Sequence, residues 1–301
     1  MKLSDMSVLI FHLNQSLVLN EKAMNTKAQR KIKRTWKVQL KKNSEINTSG
    51  LVLPSGNWEE FDPFLIMAED KVQRGAFDTH PHRGMETITY IINGVLEHSD
   101  NKGGSGILHP GDAQWMTAGS GIMHLEAPPE NITAHTLQLW VNLPRANKMA
   151  APRYQDILSS KVPVRKEEGV TYRVFSGTSG NVVSTTKNYV PVSMVEITID
   201  SGYTANQDLH SGYNGFMYIL EGSGVFGNNQ VKAEKGEVLL LDIVKEKVDT
   251  SEIIIKANKK LRIIFFAGNP LNEPVVARGP FVMNTEEEIK QAYADFRNGK
   301  F

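Results

Sequence analysis

The sequence contains no cysteine among its 301 residues. This absence excludes a disulfide framework, thiolate-held iron–sulfur clusters, thiolate zinc sites and a cysteine nucleophile. Any metal ion must therefore be held by nitrogen and oxygen ligands, which directs attention to histidine and carboxylate residues.

An excess of charge of either sign is also lacking. The chain has 34 Lys and Arg residues against 33 Asp and Glu residues, a net charge of +1 with neutral histidines. Such a balance gives no overall attraction to nucleic acid or to an anionic membrane. One basic run stands out near the N-terminus: Lys27, Arg30, Lys31, Lys33, Arg34, Lys37, Lys41 and Lys42. We interpret this run as a solvated or mobile terminus, with phosphate binding as the alternative, and do not expect nucleic acid as a partner.

Long hydrophobic runs are absent as well, since no apolar stretch reaches the roughly 18–20 residues needed to cross a bilayer. The apolar runs near the N-terminus are interrupted by His12, Asn14 and Gln15, and no Ala-x-Ala cleavage site follows them. We therefore expect a cytoplasmic protein without membrane association. Met24 is an alternative start that would leave the first 23 residues outside the fold.

From about residue 47 the pattern is typical of β-structure, with short runs rich in Ile, Val, Tyr and Phe between Gly, Asn and Pro residues. Asn93-Gly94 between two such runs predicts a hairpin, because a type I′ turn needs positive φ at both central residues. The second half repeats this plan: Tyr90–Gly94 is similar to Tyr218–Gly222, and His109–Asp112 to Glu234–Glu237. The repeat predicts two copies of one small barrel.

The last residues change from strand to helix periodicity. Thr285 and Glu288 have the spacing of a capping box, and Ile289, Ala292 and Phe296 follow at helical intervals. A short amphipathic helix is therefore predicted at the C-terminus, packed on a barrel.

Two pairs of residues predict a metal site. His80 and His82 are two positions apart, so on an extended strand both imidazoles project to the same side. His124 and Glu126 repeat this spacing further along the chain. Three imidazole nitrogens and one carboxylate oxygen suit a first-row divalent ion with one or two positions left for water, oxygen or substrate. A single His-x-His pair is common among surface histidines, so the prediction depends on the combination of both pairs.

Several neighbouring residues allow two interpretations. Glu86 has the same strand parity as His80 and His82, which makes it either a structural hydrogen-bond acceptor or an inward-pointing ligand or partner of a ligand. Apolar residues near the ligand motifs either line a substrate pocket or belong to the barrel core: Met85, Met116, Met123 and Trp115. In the second barrel the ligand positions align with Asp208, His210, Asp249 and Ser251, so we expect no metal there.

The segments His80–Thr87 and Pro110–Glu126 resemble the signature of the pirin family. Gln138–Leu143 and Gly279–Thr285 are also similar to that family, and the resemblance extends over about residues 60–301. It implies an all-β fold with two cupin (jelly-roll-type) β-barrels in one chain and a short C-terminal α-helix. It also implies one metal ion in the N-terminal barrel on His80, His82, His124 and Glu126, with iron(II) expected and nickel, manganese, copper or zinc compatible.

On this basis we divide the chain into five segments: a basic N-terminal extension (1–46), the metal-binding N-terminal cupin barrel (47–145), a connector (146–172), the metal-free C-terminal cupin barrel (173–284) and the C-terminal helix (285–301).

Two functional hypotheses follow from the resemblance, because some pirins cleave quercetin with dioxygen and an animal member is a nuclear transcription co-regulator. In the first hypothesis the protein is a quercetin 2,3-dioxygenase-type enzyme, its partners are a small aromatic substrate and O2, and Glu126 accepts the substrate's hydroxyl proton. In the second it is a non-enzymatic metal-containing redox sensor or co-regulator that acts through a protein partner.

Overall fold

The computed structural model describes residues 27–245 and 248–301. The apolar runs near the N-terminus and the alternative start at Met24 lie outside these residues. None of the helices in this part of the chain combines the length and the apolarity that a membrane crossing requires.

The first half of the chain consists of short strands with one helical turn. The strands are β1 (Ala28–Gln29), β2 (Ile32–Lys37), β3 (Lys41–Ser44), β4 (Asn47–Leu53), β5 (Phe64–Val72), β6 (His80–His82), β7 (Met85–Asn93), β8 (Leu96–Asp100), β9 (Ser105–Leu108), β10 (Ala113–Thr117), β11 (Ile122–Ala127) and β12 (Ala134–Asn142), and the helical turn is α1 (Trp58–Phe61). A 3₁₀ turn, Arg145–Asn147, leads out of this half.

The second half has the same character and ends in a helix. Its strands are β13 (Arg153–Ile157), β14 (Val164–Glu167), β15 (Val170–Ser176), β16 (Thr178–Ser179), β17 (Val182–Val183), β18 (Val192–Ile199), β19 (Thr204–His210), β20 (Asn214–Glu221), β21 (Ser223–Phe226), β22 (Val231–Glu234), β23 (Glu237–Leu241), β24 (Thr250–Ala257), β25 (Leu261–Gly268), β26 (Val276–Arg278) and β27 (Phe281–Met283), followed by α2 (Glu286–Arg297).

These strands form two similar barrels, each from one large and one small sheet. The first barrel combines the seven-stranded sheet β13-β10-β7-β12-β5-β4-β3 with the four-stranded sheet β6-β11-β8-β9. The second combines β14-β15-β18-β25-β20-β23-β2 with β1-β24-β21-β22, to which β19 is added beside β24. The prediction of an all-β chain with two copies of one barrel is confirmed.

The main hydrophobic core lies between the two seven-stranded sheets. Phe64 of the first barrel packs edge-on against Phe216 of the second at 5.3 Å between ring centroids, and Phe216 stacks on Phe266 at 5.1 Å. A second core fills the interior of the C-terminal barrel. The interior of the N-terminal barrel contains the predicted metal ligands.

Asn93-Gly94 has a different role from the predicted hairpin. Gly94 has the expected positive φ of 80°, but β7 and β8 belong to different sheets and are not paired. The turn carries the chain from the large sheet of the first barrel, which contains β7, to its small sheet, which contains β8. In a barrel made of two sheets, two strands that are consecutive in sequence can belong to opposite sheets.

The predicted N-terminal extension folds into both barrels from residue 28 onward. Ile32–Lys37 pairs antiparallel with β23 at the edge of the second barrel, and Lys41–Ser44 pairs with β4 in the first. The predicted connector also contributes strands, since Arg153–Ile157 pairs with β10 and Val164–Glu167 with β15. Each barrel is therefore completed by a strand from outside its predicted limits.

The C-terminal helix begins as the sequence predicts. The Thr285 hydroxyl accepts the Glu288 amide at 3.2 Å, and the Glu288 carboxylate accepts the Thr285 amide at 2.9 Å. Ile289 and Ala292 are buried against Phe281 and Met283 of β27.

Candidate metal centre

Neighbouring strands of the small sheet bring the predicted ligands together. His80 and His82 lie on β6, and His124 and Glu126 lie on β11, which pairs antiparallel with it. The register places His124 directly opposite His80. Because alternate residues of a strand face the same side, the imidazoles of both strands point into the barrel.

The three imidazoles form one compact cluster. Their ring centroids are 4.9 Å (His80–His82), 4.5 Å (His80–His124) and 5.1 Å (His82–His124) apart. One nitrogen of each lies within 4.8 Å of the others, and among the described residues this is the one group of three or more ligand-type side chains with such a geometry.

The free nitrogens of the cluster fit a bound cation. Nε2 of His80 and Nε2 of His124 are 3.1 Å apart, close to the separation of about 3 Å between adjacent nitrogens bound to one ion at about 2.1 Å each. Nδ1 of His124 has no hydrogen-bond partner, and neither ring nitrogen of His82 makes a bond of good geometry, although the Pro280 carbonyl lies nearby. Buried imidazole nitrogens without partners are costly, and a divalent ion bound beside Nε2 of His80 and of His124 would satisfy one nitrogen of His82.

The tautomer of His80 is set by the loop that precedes it. Nδ1 of His80 donates to the main-chain oxygen of Asp78 at 2.8 Å. This leaves the lone pair of Nε2 directed at the cluster, which is the arrangement that a metal-binding histidine needs.

Burial keeps two of the histidines neutral. His82 and His124 are 2% and 1% exposed. Burial, with smaller effects from the neighbouring histidines, holds the pKa of His82 well below its usual value. Burial also lowers the pKa of His124 to about 4, although the Glu126 carboxylate opposes the change. Neutral imidazole is the form that binds metals, so both residues are ready to ligate near neutral pH.

We expect the metal-free protein to lose stability as the pH falls from 6.5 towards 4. In this window the unfolded His124 binds a proton that the folded His124, with its pKa lowered to about 4, does not. Above pH 6.5 both states are neutral and the effect vanishes; at about pH 4.5 it amounts to about 2–3 kcal/mol. Urea unfolding at about pH 7.5 and pH 4.5 measures the decrease in the free energy of unfolding. In His124→Gln this decrease should be smaller by about 2–3 kcal/mol. An equal loss in both proteins would contradict the assignment to His124.

Glu126 lies in the same barrel but outside the histidine cluster. Its Oε1 accepts the Thr89 hydroxyl at 2.9 Å, and its Oε2 accepts the Gln138 amide at 2.6 Å. Glu126 therefore lines the site with its carboxylate held by two side chains of the large sheet. Its role as a fourth ligand stays a prediction.

A pocket of about 420 Å³ opens onto these residues. Beside His80, His82 and Glu126 it is lined by Phe77, Gln138, Trp140 and Pro280. Trp140 contacts His82 edge-on at 5.2 Å between centroids. Gln138 and Trp140 are two positions apart on β12 and therefore face the same side. The two-residue period of this strand was the sequence signal that could have identified them as pocket residues.

None of the four apolar residues considered as pocket lining reaches the pocket. Trp115 packs between the two barrels, and Met85, Met116 and Met123 belong to three smaller hydrophobic clusters. Their interpretation as ordinary core residues is the correct one.

Of the two interpretations of Glu86, the structure agrees with the structural hydrogen-bond acceptor. Glu86 is fully buried on the face of β7 that packs towards the second barrel, where its Oε1 accepts the Thr117 hydroxyl at 2.6 Å. Burial raises its pKa, although the bond from Thr117 opposes this. The parity is lost because Gly84, at φ +81°, interrupts the chain between β6 and β7.

In the second barrel Arg30 contacts Ser251, the residue that the sequence aligned with Glu126. Its Nε donates to the Ser251 hydroxyl at 2.9 Å. Its two terminal nitrogens donate to the main-chain oxygens of Asp242 (2.6 Å), Ser211 (2.7 Å), Tyr213 (3.0 Å) and His210 (3.1 Å). Leu209 packs into the core, so Asp208 and His210 on either side of it project from the opposite face of β19.

The basic N-terminal run is largely paired with acidic residues. The ion pairs are Lys27–Glu252, Lys33–Glu60, Arg34–Glu60, Lys37–Glu234 and Lys42–Glu45, and Arg30 is buried. A run whose charge is compensated by acidic partners offers little excess charge to phosphates, which weakens the nucleic-acid alternative.

Comparison with known proteins decides the family. The family model described as pirin matches residues 51–141, and the model for the pirin C-terminal cupin domain matches residues 194–301. The chain belongs to the pirin family. Pirin of Rattus norvegicus is 42% identical over 243 residues, which cover 79% of this chain and 82% of the rat protein.

Two solved structures extend the comparison to three dimensions. The protein in the crystal structure of GK1651 from Geobacillus kaustophilus is 53% identical to this pirin-family chain, and the two structures have a TM-score of 0.81. The match covers 83% of this chain and 100% of the Geobacillus chain. A structure titled quercetin 2,3-dioxygenase, from Acinetobacter baumannii, is 29% identical, with a TM-score of 0.79, over 91% of this chain and 99% of that one.

Proposed function

We propose that this pirin-family chain is a metal-dependent dioxygenase that cleaves quercetin or a related flavonol with O2. The observation that carries the proposal is the cluster of three imidazoles, two of them deeply buried and neutral, on a pocket with aromatic walls. The similarity to the Acinetobacter baumannii quercetin 2,3-dioxygenase over 91% of this chain supports it.

His80, His82 and His124 would hold the ion, with Glu126 as the predicted fourth ligand. We propose iron(II); nickel, manganese, copper and zinc suit the same ligand types. When bound, the ion supplies Lewis acidity and a template that brings an aromatic substrate and dioxygen together.

The remaining residues of the pocket suit a flat, hydroxylated substrate. Trp140 and Phe77 provide aromatic surface, which favours a planar ring system. In this proposal Glu126 accepts a hydroxyl proton from the substrate, and its two hydrogen bonds from Thr89 and Gln138 keep the carboxylate in one orientation.

Anaerobic purification, elemental analysis and oxygen uptake on addition of quercetin test the proposal. We expect about one metal ion per chain and uptake in the iron-loaded protein, both lost in His82→Ala because that variant removes a buried ligand. His109→Ala is the matched control, since His109 is an exposed histidine of the same barrel.

Bound metal without oxygen uptake would contradict the dioxygenase proposal and favour the redox sensor or co-regulator that acts through a protein partner. Failure to retain a metal ion would overturn the metal centre itself.

A further inference from the structure

Arg83, the residue between His82 and Gly84, links the ligand strand to the C-terminal helix. It is 4% exposed, and its Nη1 donates to the Asp295 carboxylate of α2 at 2.9 Å. The guanidinium also lies over the ring of Phe301, 4.3 Å from the centroid. A charge this well buried is held only where its partners are fixed.

The same guanidinium reaches the strand that carries His124. Its Nε donates to the main-chain oxygen of Ser120 at 2.7 Å, in the turn that leads into β11. One side chain therefore connects the end of β6 with the start of β11, the two strands whose spacing brings His82 and His124 together.

The main chain next to Arg83 is held by the C-terminal segment too. The Val282 amide donates to the Arg83 carbonyl at 3.0 Å. A Cβ atom on Gly84 would lie 1.9 Å from the Val282 carbonyl oxygen, so glycine is required for this approach. Nζ of the buried Lys148 donates to the carbonyl oxygens of Gly84 (2.8 Å) and Val282 (2.9 Å), which joins the two segments.

Asp295 is held in place by three donors. Besides Arg83, it accepts hydrogen bonds from Gln291 at 2.8 Å and from Lys300 at 3.0 Å. The bond from Arg83, with those from Lys300 and Gln291, keeps the pKa of Asp295 well below its usual value. The carboxylate is thus a fixed anchor for Arg83 at neutral pH.

We propose that α2 acts as a clamp on the metal centre, in which the Arg83–Asp295 pair sets the spacing between His82 and His124. Arg83 and Asp295 are positioning residues, because they act on the ion through the ligand strands. The inference rests on the proposed metal centre and not on its oxygen chemistry.

Release of cobalt(II) tests the clamp, because its visible spectrum reports the ligand geometry. The protein is loaded with cobalt(II) alone and mixed with excess EDTA. We expect release to be about 10–100-fold faster in Asp295→Ala and in Arg83→Met than in the wild type, because loss of a group that orients a metal ligand lowers metal affinity by about this factor and weaker binding is expressed here as faster release. The spectra of both variants should also differ from that of the wild type.

Glu286→Ala is the matched control, because it removes an exposed ion pair of the same helix. Glu286 pairs with Arg278, and their side chains are 50% and 61% exposed, respectively. It should leave the release rate and the spectrum unchanged. Arg83→Lys and Asp295→Asn keep part of the contact and should give intermediate rates; they also supply folded protein if the stronger variants do not fold.

Urea unfolding of the metal-free variants separates a clamp from a purely structural contact. Lower stability with wild-type release rates and spectra would overturn the proposal and leave the metal centre intact. A wild-type protein that binds no cobalt(II) would overturn the metal centre and the clamp with it.

Discussion

Replacing Glu126 by glutamine is expected to lower quercetin-dependent oxygen uptake by about 10²–10⁴-fold, the contribution of a positioned proton acceptor, with a much smaller loss of bound metal. The amide keeps the shape of the carboxylate and can still accept the Thr89 hydroxyl. The Gln138 amide can turn to present its oxygen to the new NH2 group, at the cost of the long bond from Trp140 Nε1, so both hydrogen bonds to residue 126 survive while the base is lost.

Elemental analysis and oxygen uptake on the same preparations measure the two effects. Glu97→Gln is the control, because Glu97 is a half-exposed carboxylate of the adjacent strand β8, paired with Arg74. If metal content and turnover fall together in Glu126→Gln, then Glu126 acts as a ligand and its role as proton acceptor is wrong.

Replacing Arg30 by methionine is expected to lower the free energy of unfolding by about 3–5 kcal/mol. Arg30 is 2% exposed and donates to Ser251 and to four main-chain oxygens. Methionine fills part of the volume but donates nothing, so these acceptors lose their partner inside the barrel. Burial lowers the pKa of Arg30 to about 10, although the negative charge of Asp242 opposes this shift. The guanidinium is therefore still charged at pH 7.

Equilibrium urea unfolding of the metal-free protein measures this loss. Lys33→Met is the matched control, since Lys33 lies in the same N-terminal segment but is an exposed cation paired with Glu60. It should change stability by no more than about 0.5–1 kcal/mol. A similarly small change in Arg30→Met would show that water replaces the guanidinium and that the second barrel does not depend on it.

The sequence predicted those features that follow from local geometry. A strand turns its side chains with a period of two, so the His80–His82 and His124–Glu126 pairs could each be assigned to one face from their spacing. The capping box at Thr285 is equally local. The internal repeat revealed two barrels, because each copy kept its own turns and strands.

Local rules failed where the chain changes direction. The strand parity that made an inward Glu86 one of two interpretations is lost at the left-handed Gly84, and Asn93-Gly94 joins two sheets where a hairpin was predicted. The basic N-terminal run looked like a mobile terminus because its pairing with β23 and some of its acidic partners are distant in sequence; Glu234, the partner of Lys37, lies 197 positions further along the chain.

By itself, therefore, the sequence determined the family, the all-β class and the ligand types, because strand period, turn residues and capping depend on neighbours within a few positions. Only the tertiary structure decided which residues meet. Pairing of β6 with β11 assembled the three imidazoles, Arg30 became bonded to Ser251 of the second barrel, and Asp295 contacts Arg83 from 212 positions away. Such contacts depend on strand register and on burial of charge between distant segments, and no local pattern encodes either.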